Sequence, residues 1–249
     1  MFRARVTAIQ LLFTVVVGVM SWSSVAHTES FDKPLQKKVV DLGLSPDFSP
    51  SENVHLKLTC VYYPTFMVKQ LEDTSSEGAL WFAIVMRRPG HIAPCIQAHG
   101  LDEKKIGEDW CGYFSGVKRG LVFLDACDGF SGGIDFAAFD SRSGIKIFQD
   151  SVATKDGNID FVVSGNQITL RYVRVVVGNC SVPKDGAACW NKFKEQPGLN
   201  TTPMPKCSDY KGAEAGVSPS VIAYPVEVSL FPKPAIKALA NPQKCWPAD

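Results

Sequence analysis

Between Val54 and Tyr62 the chain reads VHLKLTCVY, in which Val54, Leu56, Leu58, Cys60 and Tyr62 alternate with His55, Lys57 and Thr59. Apolar side chains at a period of two mark a strand with one buried face, so Cys60 is expected to point into the core. ALWFAIVM (79–86) is apolar throughout and rich in Trp, Phe, Ile and Val, which predicts a central strand covered on both sides. LVFLDAC (121–127) and GIDFAAFD (133–140) predict two more. DSRSG at 140–144 supplies a tight turn and IKIFQ leads the chain back, giving a hairpin over 134–149. IDFVV, SGN and QITLRYVRVVV make a second hairpin over 159–177, and VEVSLF (226–231) alternates as a late strand. No window carries long helical periodicity and no repeat recurs. The pattern predicts an all-β chain, an antiparallel sandwich or meander.

The two ends differ from this middle. Residues 27–53 are polar and broken by Pro34, Pro46 and Pro50, and are expected as an N-terminal arm strapped across the surface or mobile. A single β-rich domain is expected over 54–249, long enough to bury a sizeable core. Its last part, 178–249, holds four of the eight cysteines, and nine of the sixteen prolines fall at or after Pro197. That composition predicts a disulfide-stapled flap that packs on the sheet and contributes the late strand.

The N-terminal residues carry Arg3 and Arg5, an apolar run from Leu11 to Met20 and then Ser24-Val25-Ala26. This is the order of a secretory signal peptide over 1–26, with cleavage expected after Ala26. The run is half the roughly 20 apolar residues that a membrane span needs, so no span is expected after cleavage, and the location is expected to be secreted or periplasmic. Against 25 acidic residues the 26 basic ones leave a net charge of +1, and losing Arg3 and Arg5 turns this slightly negative. No clustered Lys and Arg mark a nucleic-acid footprint; QKKVV and DEKKIGED are read as solvated surface.

All eight cysteines, Cys60, Cys95, Cys111, Cys127, Cys180, Cys189, Cys207 and Cys245, follow the predicted cleavage site. An even count behind a signal peptide predicts four structural disulfides formed in an oxidising compartment, and the absence of any C-x-x-C pair argues against structural zinc. About 105 pairings are open; nearness in sequence favours Cys180 with Cys189 and Cys95 with Cys111.

CDGFSGG (127–133) frames Ser131 with glycines. Gly129 to Gly133 resembles the G-x-S-x-G nucleophile elbow of α/β-hydrolases, but that family's base follows its serine, and here His27, His55, His91 and His99 all precede Ser131. Cys127, Gly129, Ser131, Gly132 and Gly133 also resemble the C-x-G-D-S-G-G motif of chymotrypsin-like proteases, with QAHG around His99 as a faint counterpart of their histidine motif. Phe130 replaces the expected aspartate, and His99 and Ser131 stand too close in sequence for the two barrels of that fold. Asp128-Gly129 and Gly132-Gly133 are turn formers, so the stretch is expected to be a turn. AAFDSRSGIKIFQDS resembles the outer hairpin of a quinoprotein-type β-propeller blade, but it occurs once where a propeller needs typically four to eight blades, and it is read as a generic hairpin.

Other constellations are thinner. His91, Cys95 and His99 are spaced by four around Pro94 and are expected on a loop or surface, with Cys95 in a disulfide. His27, if cleavage exposes it as the terminus, resembles the copper-chelating N-terminal histidine of lytic polysaccharide monooxygenases and some periplasmic copper carriers, with His55, His91 or His99 as a further ligand. Asp125, Asp128 and Asp135 lack the ligand spacing of an EF-hand. Trp110, Tyr113 and Phe114 form a candidate ligand platform, with core packing the commoner use of such residues. Asn179 and Asn200 head glycosylation sequons. With no acid/base or metal constellation, no cofactor is expected. The chain reads as an exported binding or surface-interaction module for a protein or small ligand, without catalysis. The alternative is a secreted enzyme, either a copper protein built on His27 or an atypical hydrolase.

Overall fold

A computed structural model describes residues 28–100, 102–155, 158–165, 167–207, 210, 217–239 and 243–248. Strand outweighs helix 50% to 7% and the sheets are antiparallel, as the alternation predicts. Five strands form a meander in spatial order: β2 (Gln36–Leu44), β3 (His55–Tyr62), β4 (Phe66–Asp73), β5 (Trp81–Met86) and β6 (Glu103–Ile106). The second sheet has ten strands. One path through it runs from β1 (Thr28–Glu29) through β11 (Asp160–Ser164), β12 (Gln167–Val177), β10 (Lys146–Ala153), β9 (Gly133–Asp140) and β8 (Leu121–Phe130) to β7 (Gly112–Lys118). On the other side of β12 lies β13 (Ser220–Ser229), which pairs in turn with β14 (Ala235–Ala238) and β15 (Lys244–Pro247). Two short helices, α1 (Val182–Asp185) and α2 (Ala187–Phe193), precede β13.

The apolar runs are explained by double coverage. Along β8, Val122 and Leu124 face the five-stranded sheet and join Val61, Phe66, Val68, Phe82 and Ile84 in one core. Leu121 and Phe123 point the other way, into a second core with Phe161, Leu170, Trp190 and Tyr224. β9 divides its residues likewise, Ala137 and Phe139 to the first core and Phe136 and Ala138 to the second. Where both faces of a strand are covered the period of two disappears from the sequence. A third cluster covers the outer face of the five-stranded sheet: Leu58, Cys60, Tyr62 and Met67 lie under Ala93 and Cys95 of the 87–102 connection. The Cys60–Cys95 disulfide and a hydrogen bond from the Tyr62 hydroxyl to the Ala93 carbonyl (3.1 Å) fasten that connection down.

Four disulfides form, Cys60–Cys95, Cys111–Cys127, Cys180–Cys189 and Cys207–Cys245. Cys180–Cys189 is as expected, and Cys95–Cys111 is corrected. Cys95 is carried back over the sheet to the buried Cys60, while Cys111 adjoins Gly112, which pairs with Ala126 and so brings Cys127 within reach. The N-terminal arm needs a correction too. Its residues 36–44 form the edge strand β2, with Lys37 and Lys38 exposed on its two faces, and Thr28–Glu29 pairs with β11. Charged residues at a sheet edge protect it from further pairing, which is why the segment reads as polar. The late strand begins at Ser220, six residues before the expected start, and pairs with β12 over nine positions.

A polar network is enclosed where β10, β12 and β13 meet. The Tyr172 hydroxyl donates to Asp150 Oδ2 (2.5 Å), Arg174 Nε donates to both Asp150 oxygens (2.8 Å), and Arg174 Nη1 donates to the Tyr224 hydroxyl (2.6 Å). The Tyr224 hydroxyl donates in turn to the Pro197 carbonyl (3.0 Å), tying the segment after α2 to the sheet. Each member has partners, the condition under which buried polar groups are tolerated.

Burial raises five of the six tyrosines above their ordinary value of 10.0: Tyr62, Tyr63, Tyr172, Tyr210 and Tyr224. Tyr63 is pushed up to about 12 by burial and by the charge of Asp32, and Tyr172 rises by burial and by Asp150 beside it. A raised folded value favours the neutral phenol, so this stability is full below the unfolded tyrosine value and is lost as pH rises through the folded values. Urea unfolding is therefore expected to hold its midpoint up to the ordinary tyrosine range and to lose it above, with most tyrosinate absorbance at 295 nm appearing only with unfolding. Most tyrosines ionising in the folded protein near their ordinary value would contradict the packing.

Candidate functional site

At one end of the two sheets four turns converge on a cleft of about 680 Å³. The five-stranded sheet contributes Pro64 and Thr65 from the β3–β4 turn and residues 86–90 after β5; the ten-stranded sheet contributes Arg119 and Gly120 from the β7–β8 turn and residues 140–142 from the β9–β10 turn. Among the described residues Arg87, Arg88, Arg119 and Arg142 line it against one carboxylate, Asp140.

That carboxylate is already committed. Asp140 Oδ1 accepts from the Ser143 backbone N–H and hydroxyl (both 2.7 Å), closing the DSRSG turn, in which Gly144 takes the positive φ (75°) that the sequence calls for. Burial pushes the Asp140 carboxyl up, but the Ser143 hydrogen bonds and the neighbouring Arg142 outweigh it and hold the group below its ordinary value. It stays ionised as a turn-forming acceptor.

The guanidinium groups are held in differing degrees. Arg87 Nη1 donates to the Tyr63 carbonyl (3.0 Å) and the Pro64 carbonyl (3.3 Å), which fixes the side chain across the β3–β4 turn, and its Nε is buried with no partner. Arg88 pairs with Asp102 (2.5 Å) at the rim. Arg119 Nη1 donates to the Gly165 carbonyl, and its backbone N–H donates to Asp32 Oδ2 (2.6 Å). Arg119 holds φ at 47°, a conformation uncommon for a side chain other than Gly, Asn or Asp. Among the described residues no carboxylate within 4.0 Å pairs with Arg87, Arg119 or Arg142. Guanidinium is a planar fork of donors that cannot be deprotonated and matches an oxyanion. The cleft therefore offers guanidinium donors and positive charge, with the hydroxyl residues Thr65 and Ser141 in its wall.

Beside it, sharing Arg87 and Arg88, is a smaller pocket of about 290 Å³ over a buried ion pair. Lys69 Nζ meets Glu103 Oε2 at 2.8 Å, with side chains 3% and 2% exposed, and also donates to the Ala98 carbonyl (3.0 Å). The other carboxylate oxygen of Glu103 lies 2.6 Å from His99 Nδ1, whose ring packs against Trp81. DEKKIGED is thus corrected in part: Lys104 and Lys105 are exposed as expected, but Glu103 faces inward opposite Val85 and neutralises the one lysine of the apolar strand FMVKQL.

The residues singled out from sequence lie elsewhere. Ser131 occupies a two-residue hairpin turn between Phe130 and Gly133, with φ of 50° at Ser131 and 83° at Gly132. Its carbonyl accepts from Trp246 Nε1 (3.0 Å), while its buried hydroxyl has no partner and hence no base. Of the glycine-rich stretch only Ser131 and Gly132 form the turn, while Cys127–Phe130 continue β8 and Gly133 begins β9, at the far end of that hairpin from the arginine cleft. His91 is exposed on the 87–102 connection, with Cys95 buried in its disulfide. His27 lies outside the described residues. Asp125, which burial pushes above its ordinary value, is not gathered with Asp128 and Asp135 into a ligand cluster; the one such cluster among the described residues, Cys180, Asp185 and Cys189, has both sulfurs in a disulfide. Trp110 donates to the Asp125 carbonyl (3.2 Å) and with Phe114 packs on the first core; the Tyr113 hydroxyl accepts from the Gly78 N–H (2.9 Å). Asn179 and Asn200 are exposed. The arginines escaped notice because they are dispersed in sequence, although each adjoins a turn signal: RRPG (87–90), KRG (118–120) and SRSG (141–144).

Compared with known proteins, the chain matches no family model, no curated protein and no solved structure.

Removing one partner of a buried ion pair leaves the other charge without compensation, at a cost of roughly 3–5 kcal/mol, whereas an exposed pair is worth about 0–1 kcal/mol. Glu103→Gln is therefore expected to lower stability to urea by about 3 kcal/mol or more. Glu227→Gln, which breaks the partly exposed Arg171–Glu227 pair, is expected to cost about 1 kcal/mol or less. Equal effects of the two would contradict the burial of the Lys69–Glu103 pair.

Proposed function

We propose that this chain is an exported, disulfide-bonded binding module that takes an anionic group into the arginine cleft and performs no chemistry on it. The convergence of four arginines from three turns, against one carboxylate among the described residues that its own turn already uses, carries the reading. Like charges are brought together at a cost, and an anion that sits between them repays it. The volume of about 680 Å³ falls in the range of small-ligand sites. Four disulfides fit an extracellular or otherwise oxidising compartment, and among the described residues no helix is long and apolar enough to cross a membrane. Export itself rests on the N-terminal sequence.

Titration calorimetry with inorganic sulfate and phosphate at low salt is expected to show saturable binding that weakens as salt is added. Arg142→Ala and Arg119→Ala are each expected to weaken it about tenfold, equivalent to about 1.4 kcal/mol, without loss of folding. Ser131→Ala is expected to leave binding and folding unchanged. Absence of binding by either anion, or binding indifferent to both arginines, contradicts the proposal. A hydrolytic activity abolished by Ser131→Ala would favour the enzyme reading instead.

A further inference from the structure

We infer that the ligand is a linear sulfated polysaccharide, which fills the arginine cleft with one sulfated unit and continues over the edge of β6. This rests on the anion-binding reading and adds the ligand's class and path.

The first observation is where Lys104 sits. In β6 the register sets Lys104 beside Ile84 and Lys105 beside Ala83. Ile84 and the following Ile106 belong to the core between the sheets, so Lys104 lies on the face towards the ten-stranded sheet and Lys105 on the opposite one. The Lys104 ammonium meets the Arg142 carbonyl, and its stem lies close to Gly144. Positive charge therefore extends from the cleft through Arg142 onto an exposed strand edge, a track rather than a point. A single inorganic anion has no use for the second half of it.

The second observation is what the wall lacks. Pro64, Met86 and Pro89 are its apolar members, and among the described residues no aromatic side chain lines it. Proteins that bind single-stranded nucleic acid stack bases on aromatic rings, and none is offered here. A sulfated glycan needs only oxyanion recognition along a chain, which forked guanidinium and ammonium groups supply, and such polymers occur in the oxidising compartment that the disulfides fit.

The test compares a heparin hexasaccharide, inorganic sulfate and an oligothymidylate of matching charge, titrated into the whole protein at one salt concentration. The hexasaccharide is expected to bind at least about tenfold more tightly than sulfate, because linked contacts add, and more tightly than the oligothymidylate. Lys104→Ala is expected to weaken the hexasaccharide about threefold or more and to leave sulfate unchanged, while Lys105→Ala, on the other face of the same strand, changes neither. Sulfate binding with no gain for the hexasaccharide, or a gain insensitive to Lys104, overturns this inference while the cleft reading stands. An oligothymidylate that matches the hexasaccharide overturns the glycan assignment. Failure of all three to bind overturns this inference, and the cleft reading with it where phosphate fails too.

Discussion

Strands β8 and β9 are covered on both faces where Leu121–Leu124 pair with Ala137–Asp140, and the rest of the molecule takes its position from that. Phe123, Leu124, Phe136, Ala137 and Ala138 are each fully buried, with alternate side chains committed to opposite cores. Burying a phenylalanine or leucine is worth about 1.5–3 kcal/mol relative to exposure, so neither the five-stranded sheet nor the α2 and β13 side can be lifted away without exposing half of this hairpin. Small residues make the layer possible. A side chain at Gly112 would meet the Asp125 carbonyl, and one at Gly116 the ring of Phe31 at 2.5 Å; close packing of this kind leaves little slack in protein interiors.

The same hairpin sets the geometry of the cleft. Its open end, where β8 begins and β9 stops, delivers Arg119 and Arg142 next to the turns of the other sheet that deliver Arg87 and Arg88. The 87–102 connection then does two jobs. It holds two arginines at the cleft, and it folds back over the outer sheet, where the Cys60–Cys95 disulfide and the Lys69–Glu103 pair restrain it. Charge is therefore handled in opposite ways a few residues apart. At Lys69 a buried cation is neutralised by a buried carboxylate, as burial demands. In the cleft, three of the four arginines have no pairing carboxylate within 4.0 Å among the described residues, and backbone carbonyls satisfy Arg87 and Arg119 without neutralising their charge.

The strands whose apolar and polar residues alternate, or whose apolar runs are uninterrupted, were legible in the sequence: β3, β5, the β9–β10 hairpin and the β11–β12 hairpin all lie where the pattern puts them. Elements whose burial depends on a distant partner were not. Strand β2 looks polar because it is an edge, and β4 and β7 went unrecognised, β4 interrupted by the buried Lys69 and Gln70. Glu103 looked like surface because a run of charges conceals which member faces inward. Nearness in sequence chose correctly for Cys180 and Cys189, nine residues apart, and failed for Cys95, because a connection that doubles back brings together cysteines 35 apart. The candidate site was hidden for a related reason. Arg87, Arg88, Arg119 and Arg142 form no motif along the chain and become neighbours only when turns from two sheets meet.

The two sheets meet at the cleft, and backbone hydrogen exchange with and without saturating sulfate reads whether one anion bridges them. If one anion bridges the sheets, the turns around 63–65, 86–90, 119–120 and 140–144 should slow together, while the Ser131 turn at the opposite end stays unchanged. Protection confined to the turns of one sheet, or centred on Ser131, would contradict the account.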